Sequence, residues 1–470
     1  MKPKPTLTLM ALLSAISVFA QYDEAAYKRF VTTYLPLPDR LTLDTAYIGQ
    51  QVRTAMHARA VVAWGADVPE ALFRHFVVPP RVEGETLDAS RQSLADELLP
   101  LVGHADMATA AQEVNHWCRA HADIRPTDGR TLAPSATIAT GYGNSTEVAV
   151  VLVAALRAVC IPSRLVVGKQ MGDGGTDATW VEAWCNGEWR CLEPCHPAPH
   201  NIPAAILKGV FKAKGISACA FGQYDGEEKH IVKGALLTTI DRTDAYRKAA
   251  AAMPPGNGDT SVRTDHARRL ASDDAQRQAR DARLHEPWRG NAATIEAFLA
   301  GPWDRRMAHT LLGLLTEKDL HDVTLDVLHD NIYTQSAAES LNDIQMSYVV
   351  NPRIDQESLT PYKWLLRKSL SNIDSIPQLV RWCRDSILLV SGQNPHNLRQ
   401  TPAATYRHRQ ADAMGKKLFF VAAARSLGWP ARINDDGQVE WHDDEQWRPV
   451  PPLSYIDMVE HEPHRKGKKR

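Results

Sequence analysis

The chain is 470 residues long, 44% hydrophobic and 23% charged, with a formal net charge of -1. That length allows two to four domains of roughly 150 residues each, so a sizeable core can form. A near-neutral chain offers no overall field to recruit nucleic acid or an anionic membrane, and neither is an expected partner.

At the start, Lys2 and Lys4 precede an apolar run from Leu7 to Phe19 and a small-residue site, VFA, before Gln21. The pattern predicts a cleavable signal over 1–20 and a secreted or periplasmic protein. No later apolar run approaches the roughly 18 residues of a membrane span, so no integral membrane segment is expected after cleavage. Residues 21–105 read as a mainly helical region. The seven cysteines are an odd number, which leaves at least one unpaired and argues against a disulfide scaffold. Cys118 and Cys383, each inside a WCR triplet, read as small buried hydrophobes.

The halves of the chain share a weak repeat. FVVPPRVEGETL from Phe76 matches YVVNPRIDQESL from Tyr348 at an offset of 272, and VNHWCRAH from Val114 matches LVRWCRDS from Leu379 at 265. LRAVCIPSR from Leu156 matches ARSLGWPAR from Ala424 at 268, and WVEAWCNGEW from Trp180 resembles QVEWHDDEQW from Gln438 at 258. Four matches in one order at nearly constant offset predict a duplication. Between the copies, 224–286 reads as a linker and a charged helix, followed by helical patterns over 287–345.

Within the first copy, Val148, Val151, Leu152, Ala155, Leu156 and Val159 recur at helical spacing and predict a buried helix ending before Pro162. Asn144 and Glu147 form a capping pair, which places Ser145 in the first turn. A thiol there would be acidified by the helix dipole, whereas a hydroxyl needs a neighbouring base. Further on, Asn186-Gly187 predicts a two-residue hairpin turn in which paired residues sum to 373. Trp184 then faces Trp189, Glu182 faces Cys191, Trp180 faces Glu193 and Ala178 faces Cys195. Side-chain alternation puts Cys185 on the face opposite Cys191.

A helix opening GNSTE, then LRAVCIPSR, then ATWVEAWCNGEWRCLEP resembles the transglutaminase-like superfamily of papain-like fold. The wider segments EVNHWC, PTDGRTLAPSATIATGYG, FGQYDGEE, TEKDLHDVTLDVLHDNIYT and YVVNPRIDQESLTPYK are similar to large exported bacterial proteins with transglutaminase-like domains. The resemblance implies an α+β class, with a helix packed on an antiparallel sheet. The core is expected twice, over 106–223 and, degenerate, over 346–456, with a basic tail at 457–470. It puts the family's Cys, His and acid on Ser145, Ala178 and Glu193. In the second copy the offsets put them on Ala413, Asp436 and Pro451. Neither copy keeps a full triad.

Loss of a triad member removes several powers of ten from the rate, so the expectation is an inactive relative that binds or scaffolds peptide, protein or cell-wall material. The alternative is an amide hydrolase or acyl transferase using Ser145 with a displaced base such as His196; His116, His121 and His200 are the other imidazoles near the motif. A metal site from Cys191, Cys195 and His196 has suitable atom types, but buried thiols are the preferred reading, and no cofactor or metal is expected. Trp180 and Trp184 are weak candidates for a binding platform against a structural role. Arg157 and Arg164 are expected to brace the helix and the following strand through surface hydrogen bonds.

Overall fold

The computed structural model describes residues 23–127, 129–169, 177–194, 213–226, 228–252, 275–276, 278, 288, 290–333 and 341–454. The chain divides into two compact units, Met1–Leu35 with Leu43–Arg283, and Pro36–Thr42 with Leu284–Arg470. The signal, most of the linker, the basic tail, Cys195, His196 and His200 lie outside the described residues. Among the described residues no helix is long and apolar enough to cross a membrane.

The first unit opens with helices α1 (Glu24–Tyr34), α2 (Thr45–Val61), α3 (Glu70–Phe76), α4 (Ser90–Val102) and α5 (Met107–His121). Then come β1 (Asp123–Ile124), α6 (Pro134–Thr140), β2 (Tyr142–Gly143) and α7 (Ser145–Ala158). The strands β3 (Ser163–Lys169), β4 (Ala178–Cys185), β5 (Glu188–Leu192), β6 (Gly215–Phe221), β7 (His230–Lys233) and β8 (Leu237–Asp241) precede α8 (Thr243–Ala251). They form an antiparallel sheet in the order β5-β4-β3-β6-β8-β7. This is the α+β class expected.

Helix α7 is apolar nearly all round, which only a fully surrounded helix tolerates. From Val148 to Ile161 it lies in one cluster with Val114 and Cys118 of α5 and Val181, Ala183, Cys185 and Leu192 of the hairpin. The opposite sheet face carries Val166, Trp180, Cys191 and Ile216 and is covered by Tyr246 of α8. Cys185 and Cys191 thus point to opposite faces, as side-chain alternation requires. Trp184 pairs with Trp189 and Glu182 with Cys191, and the turn residues Asn186 and Gly187 both take positive φ, 55° and 99°, the twist a two-residue hairpin turn needs.

One expectation is corrected. The stretch from Tyr224, read as linker, instead completes the sheet: β8 pairs along β6, and Thr238 and Ile240 are 0% exposed. Its polar and charged composition hid the alternation that marks a strand.

The second unit contains the short helix Leu37–Thr42 and helices α9 (Ala292–Leu299), α10 (Arg305–Gly313), α11 (Glu317–Asp322), α12 (Leu325–Tyr333), α13 (Lys363–Ser369) and α14 (Ile376–Ser386). Next are β9 (Leu388–Leu389), α15 (Pro402–His408), β10 (Gln410–Ala411), α16 (Ala413–Ser426) and the antiparallel strands β11 (Ala431–Ile433), β12 (Val439–His442) and β13 (Trp447–Pro449).

At positions matched by the sequence offsets, the two units make the same contacts. Arg157 donates to the carbonyls of Pro79, Arg81 and Ser163; Arg425 donates to those of Asn351, Arg353 and Ala431. Arg164 pairs with Glu182 at 2.8 Å and lies 3.8 Å above the Trp189 ring and 5.5 Å from that of Phe76. Arg432 pairs with Glu440 at 2.9 Å and lies 4.0 Å above Trp447 and 5.8 Å from Tyr348. The parallel bridge of β1 with β2 has its counterpart in β9 with β10.

Candidate functional site

Ser145 is the first residue of α7, where a capping box holds it. The Asn144 side chain accepts from Glu147 N at 3.0 Å, and the Glu147 carboxylate accepts from Asn144 N at 2.9 Å. That carboxylate, 1% exposed, also accepts from Thr127 Oγ1 at 3.0 Å and Leu132 N at 2.9 Å, which ties the preceding loop to the helix start. The sequence signals for this geometry were local and complete.

Across from the helix start, Thr146 and Thr179 bring their hydroxyls to 3.4 Å. This contact sets the first turn of α7 against β4 at the residue beside Ala178. The Ala178 methyl itself packs with Trp180, Cys191 and Tyr246 on the face away from α7. No histidine among the described residues hydrogen-bonds to Ser145. A serine hydroxyl needs a base to take its proton before it is a good nucleophile, and an alanine methyl cannot supply one; His196 and His200 lie outside the described residues.

Glu193 is 7% exposed and follows the last paired residue of β5. Its backbone carbonyl accepts from Asn115 Nδ2 at 3.3 Å. Asn115, on α5, is 3% exposed, and its Oδ1 is buried without a hydrogen-bond partner. Sequence reasoning missed Asn115 as a site neighbour. The only available signal was its place inside EVNHWC, since the contact joins residues 78 apart.

Trp180, raised above as a platform, is a core residue: it is 1% exposed and its indole N–H donates to the Tyr246 hydroxyl at 2.6 Å. Trp184 is half-buried and packs on the two neighbouring clusters. The two arginines also depart from expectation, because both are interior. Arg157 is 3% exposed and Arg164 0%. Arg164 joins Glu182, Glu228 and Arg242 in one ionic network, which a buried guanidinium requires to offset its lost hydration.

Among the described residues, the thiols of α7's end and the hairpin are poorly placed for chemistry. Burial pushes Cys160 and Cys185 up to about 12 and raises Cys191 as well, so none is a ready thiolate near neutral pH. Among the described residues no group of His, Cys, Asp and Glu side chains is arranged to hold a metal.

In the second unit, the three residues that the sequence offsets pick out line one cleft. Ala413 opens α16, and with Asp436 and Pro451 it lines a cleft of about 450 Å³. Lys416, Lys417 and Val439 line it too. Alanine and proline supply neither nucleophile nor acid there.

No curated protein matches this chain. It is similar to the solved structure of a proposed cysteine protease from Cytophaga hutchinsonii, at 13% identity and a TM-score of 0.25, over 38% of this chain and 66% of that one. This chain thus spans just under two thirds of that protein's length. A family model described as the transglutaminase-like superfamily matches residues 93–194, the segment holding α5, the capped helix α7 and the hairpin to Glu193, and this part of the chain is a transglutaminase-like domain.

Proposed function

We propose that the protein is an exported transglutaminase-like protein with a decayed triad, acting as a non-catalytic module that binds or scaffolds peptide, protein or cell-wall material. One observation carries the reading: the helix start is fully built around Ser145, while the family's imidazole position is a methyl group packed among Trp180, Cys191 and Tyr246. A frame that keeps its capping and loses its base keeps the means to hold a ligand and loses the means to cleave one. Export rests on the charged and apolar pattern from Lys2 to Phe19. Descent from a duplicated core is supported by the paired arginine contacts of Arg157 with Arg425 and Arg164 with Arg432.

The test is turnover. Purified protein is incubated with peptide amides, with and without an added amine, beside a Ser145→Ala variant. The expected result is no hydrolysis or transamidation above that variant, and no labelling of Ser145 by a phosphonylating probe. Amide turnover that disappears in S145A overturns the proposal and makes the protein an acyl-transfer enzyme.

A further inference from the structure

We propose that Trp382, Tyr406 and Arg409 of the second unit form a docking site for the carboxylate side chains of an acidic protein segment, an inference that deepens the binding-module reading above and rests on it. Trp382 lies on α14, Tyr406 on α15, and Arg409 is the residue that ends α15. The Arg409 guanidinium lies over both rings, 4.5 Å from the centre of Trp382 and 4.1 Å from that of Tyr406. The two rings are nearly parallel, 9° apart with centres separated by 6.1 Å. Phe419 of α16, 0% exposed, stacks on Trp382 at 5.4 Å and ties the group to the core.

Three groups that can donate hydrogen bonds meet here: the Trp382 indole N–H, the Tyr406 hydroxyl and the Arg409 guanidinium. Among the described residues none of the three has a hydrogen bond or an ion pair, and Nη1 of Arg409 is enclosed without an acceptor. A native structure rarely leaves an enclosed polar atom unmatched without a use for it. The first unit treats the matched positions differently. Trp117, which corresponds to Trp382 at the offset of 265, donates to Glu97 at 2.6 Å and is stacked by His121 at 4.3 Å. Gly141, which corresponds to Arg409 at 268, ends α6 at φ 85°, and Arg409 ends α15 at φ 55°. Glycine takes this left-handed conformation freely, whereas a side chain is strained in it. The second unit accepts that strain and holds a guanidinium flat against two rings. Helices α14 and α15 carry one acid, Asp385, against Arg381, Arg384 and Arg407, and Arg381, Arg407 and His408 are exposed. A carboxylate answers three donors and fits the fork of a guanidinium. The exposed arginines extend the attraction beyond one residue, which favours a run of Asp and Glu.

The experiment is a fluorescence-anisotropy titration of the full chain with rhodamine-labelled Gly-Glu-Asp-Glu-Asp-Gly amide and with its Gly-Gln-Asn-Gln-Asn-Gly counterpart. The acidic peptide is expected to bind saturably and about tenfold or more tightly than the neutral one, the contribution of a charged hydrogen bond. Arg409→Gly installs the residue of the matched position in the first unit, suits the backbone there, and should erase that preference. Arg409→Gln, which keeps a polar side chain and removes the charge, should erase it as well, with circular dichroism confirming the fold of each variant; if R409G misfolds, R409Q decides. Equal affinity for the two peptides, a preference that survives in R409Q, or no saturable binding of the acidic peptide overturns the proposal. Displacement of the probe by oligogalacturonate more readily than by unlabelled acidic peptide overturns it too, in favour of an acidic glycan. Turnover at Ser145 would sink the proposed function without touching this titration, and a failed titration would leave an inactive Ser145 standing.

Discussion

Arg157→Met should destabilise the first unit by about 2–4 kcal/mol, and the number follows from a contest of two terms. The guanidinium donates to Ser163 O at 3.2 and 3.0 Å, to Pro79 O at 3.1 Å and to Arg81 O at 2.9 Å. Methionine leaves the Ser163 and Arg81 carbonyls without this donor in the interior, at about 1–3 kcal/mol each, while the Pro79 carbonyl keeps Arg91 Nη2 at 2.7 Å. Against this, burial pulls the Arg157 guanidinium down to about 9, with the charge of Arg91 adding to the effect. Removing a charge so poorly solvated recovers several kcal/mol, which brings the net loss to the lower part of the range. Arg157→Lys keeps the charge but cannot span three carbonyls with one ammonium, so it should fall between wild type and R157M. Urea unfolding followed by circular dichroism, with slopes compared as well as midpoints, measures the difference. If R157M lies within about 0.5 kcal/mol of wild type, a range typical of unimportant surface positions, the carbonyl bonds do not anchor α7 and the argument fails.

Other outcomes follow from the same geometry. Asn144→Ala should cost about 1 kcal/mol as a lost cap. Glu147→Ala should cost more, about 3 kcal/mol, because three donors lose their acceptor, and amide exchange should accelerate at 144–148 while β6 and β8 stay protected. In a Cys195→Ser, Cys219→Ser background, a thiol reagent at pH 8 should leave Cys118, Cys160, Cys185, Cys191 and Cys383 unmodified until denaturant is added, since these thiols are buried; rapid modification of any of these five in the native protein would contradict their burial. Glu228 opposes a burial effect that would raise its carboxyl, and the hydrogen bond and charge of Arg164 win and hold it below its ordinary 4.5. Its stabilising contribution is therefore complete above that value and lost as pH falls through the lower folded one. Glu228→Gln should lower stability at neutral pH and flatten the acid limb of the stability curve; an unchanged limb would refute the pairing.

Several features could be read directly from short stretches of the chain. Asn144 and Glu147 specify the start of α7 because a cap is made by residues three apart. Asn186-Gly187 specifies the β4–β5 register because a two-residue turn leaves one pairing. Parity along those strands then separated Cys185 from Cys191, and the family spacing set the expectation, taken up in the proposed function, that Ser145 and Ala178 stand at the thiol and imidazole positions. Tertiary structure alone decided the rest. Arg164 meets Glu228 across 64 residues of sequence, and that closure converts an expected surface arginine into a buried ionic centre. The strands after Tyr224 join the sheet because β6 offers them an edge, which their composition does not announce. The convergence of Ala413, Asp436 and Pro451 on one cleft likewise depends on where chain ends of separate elements come to rest. Caps, turns and alternation are settled by neighbours a few bonds away, whereas burial and charge pairing depend on which distant surfaces exclude water together.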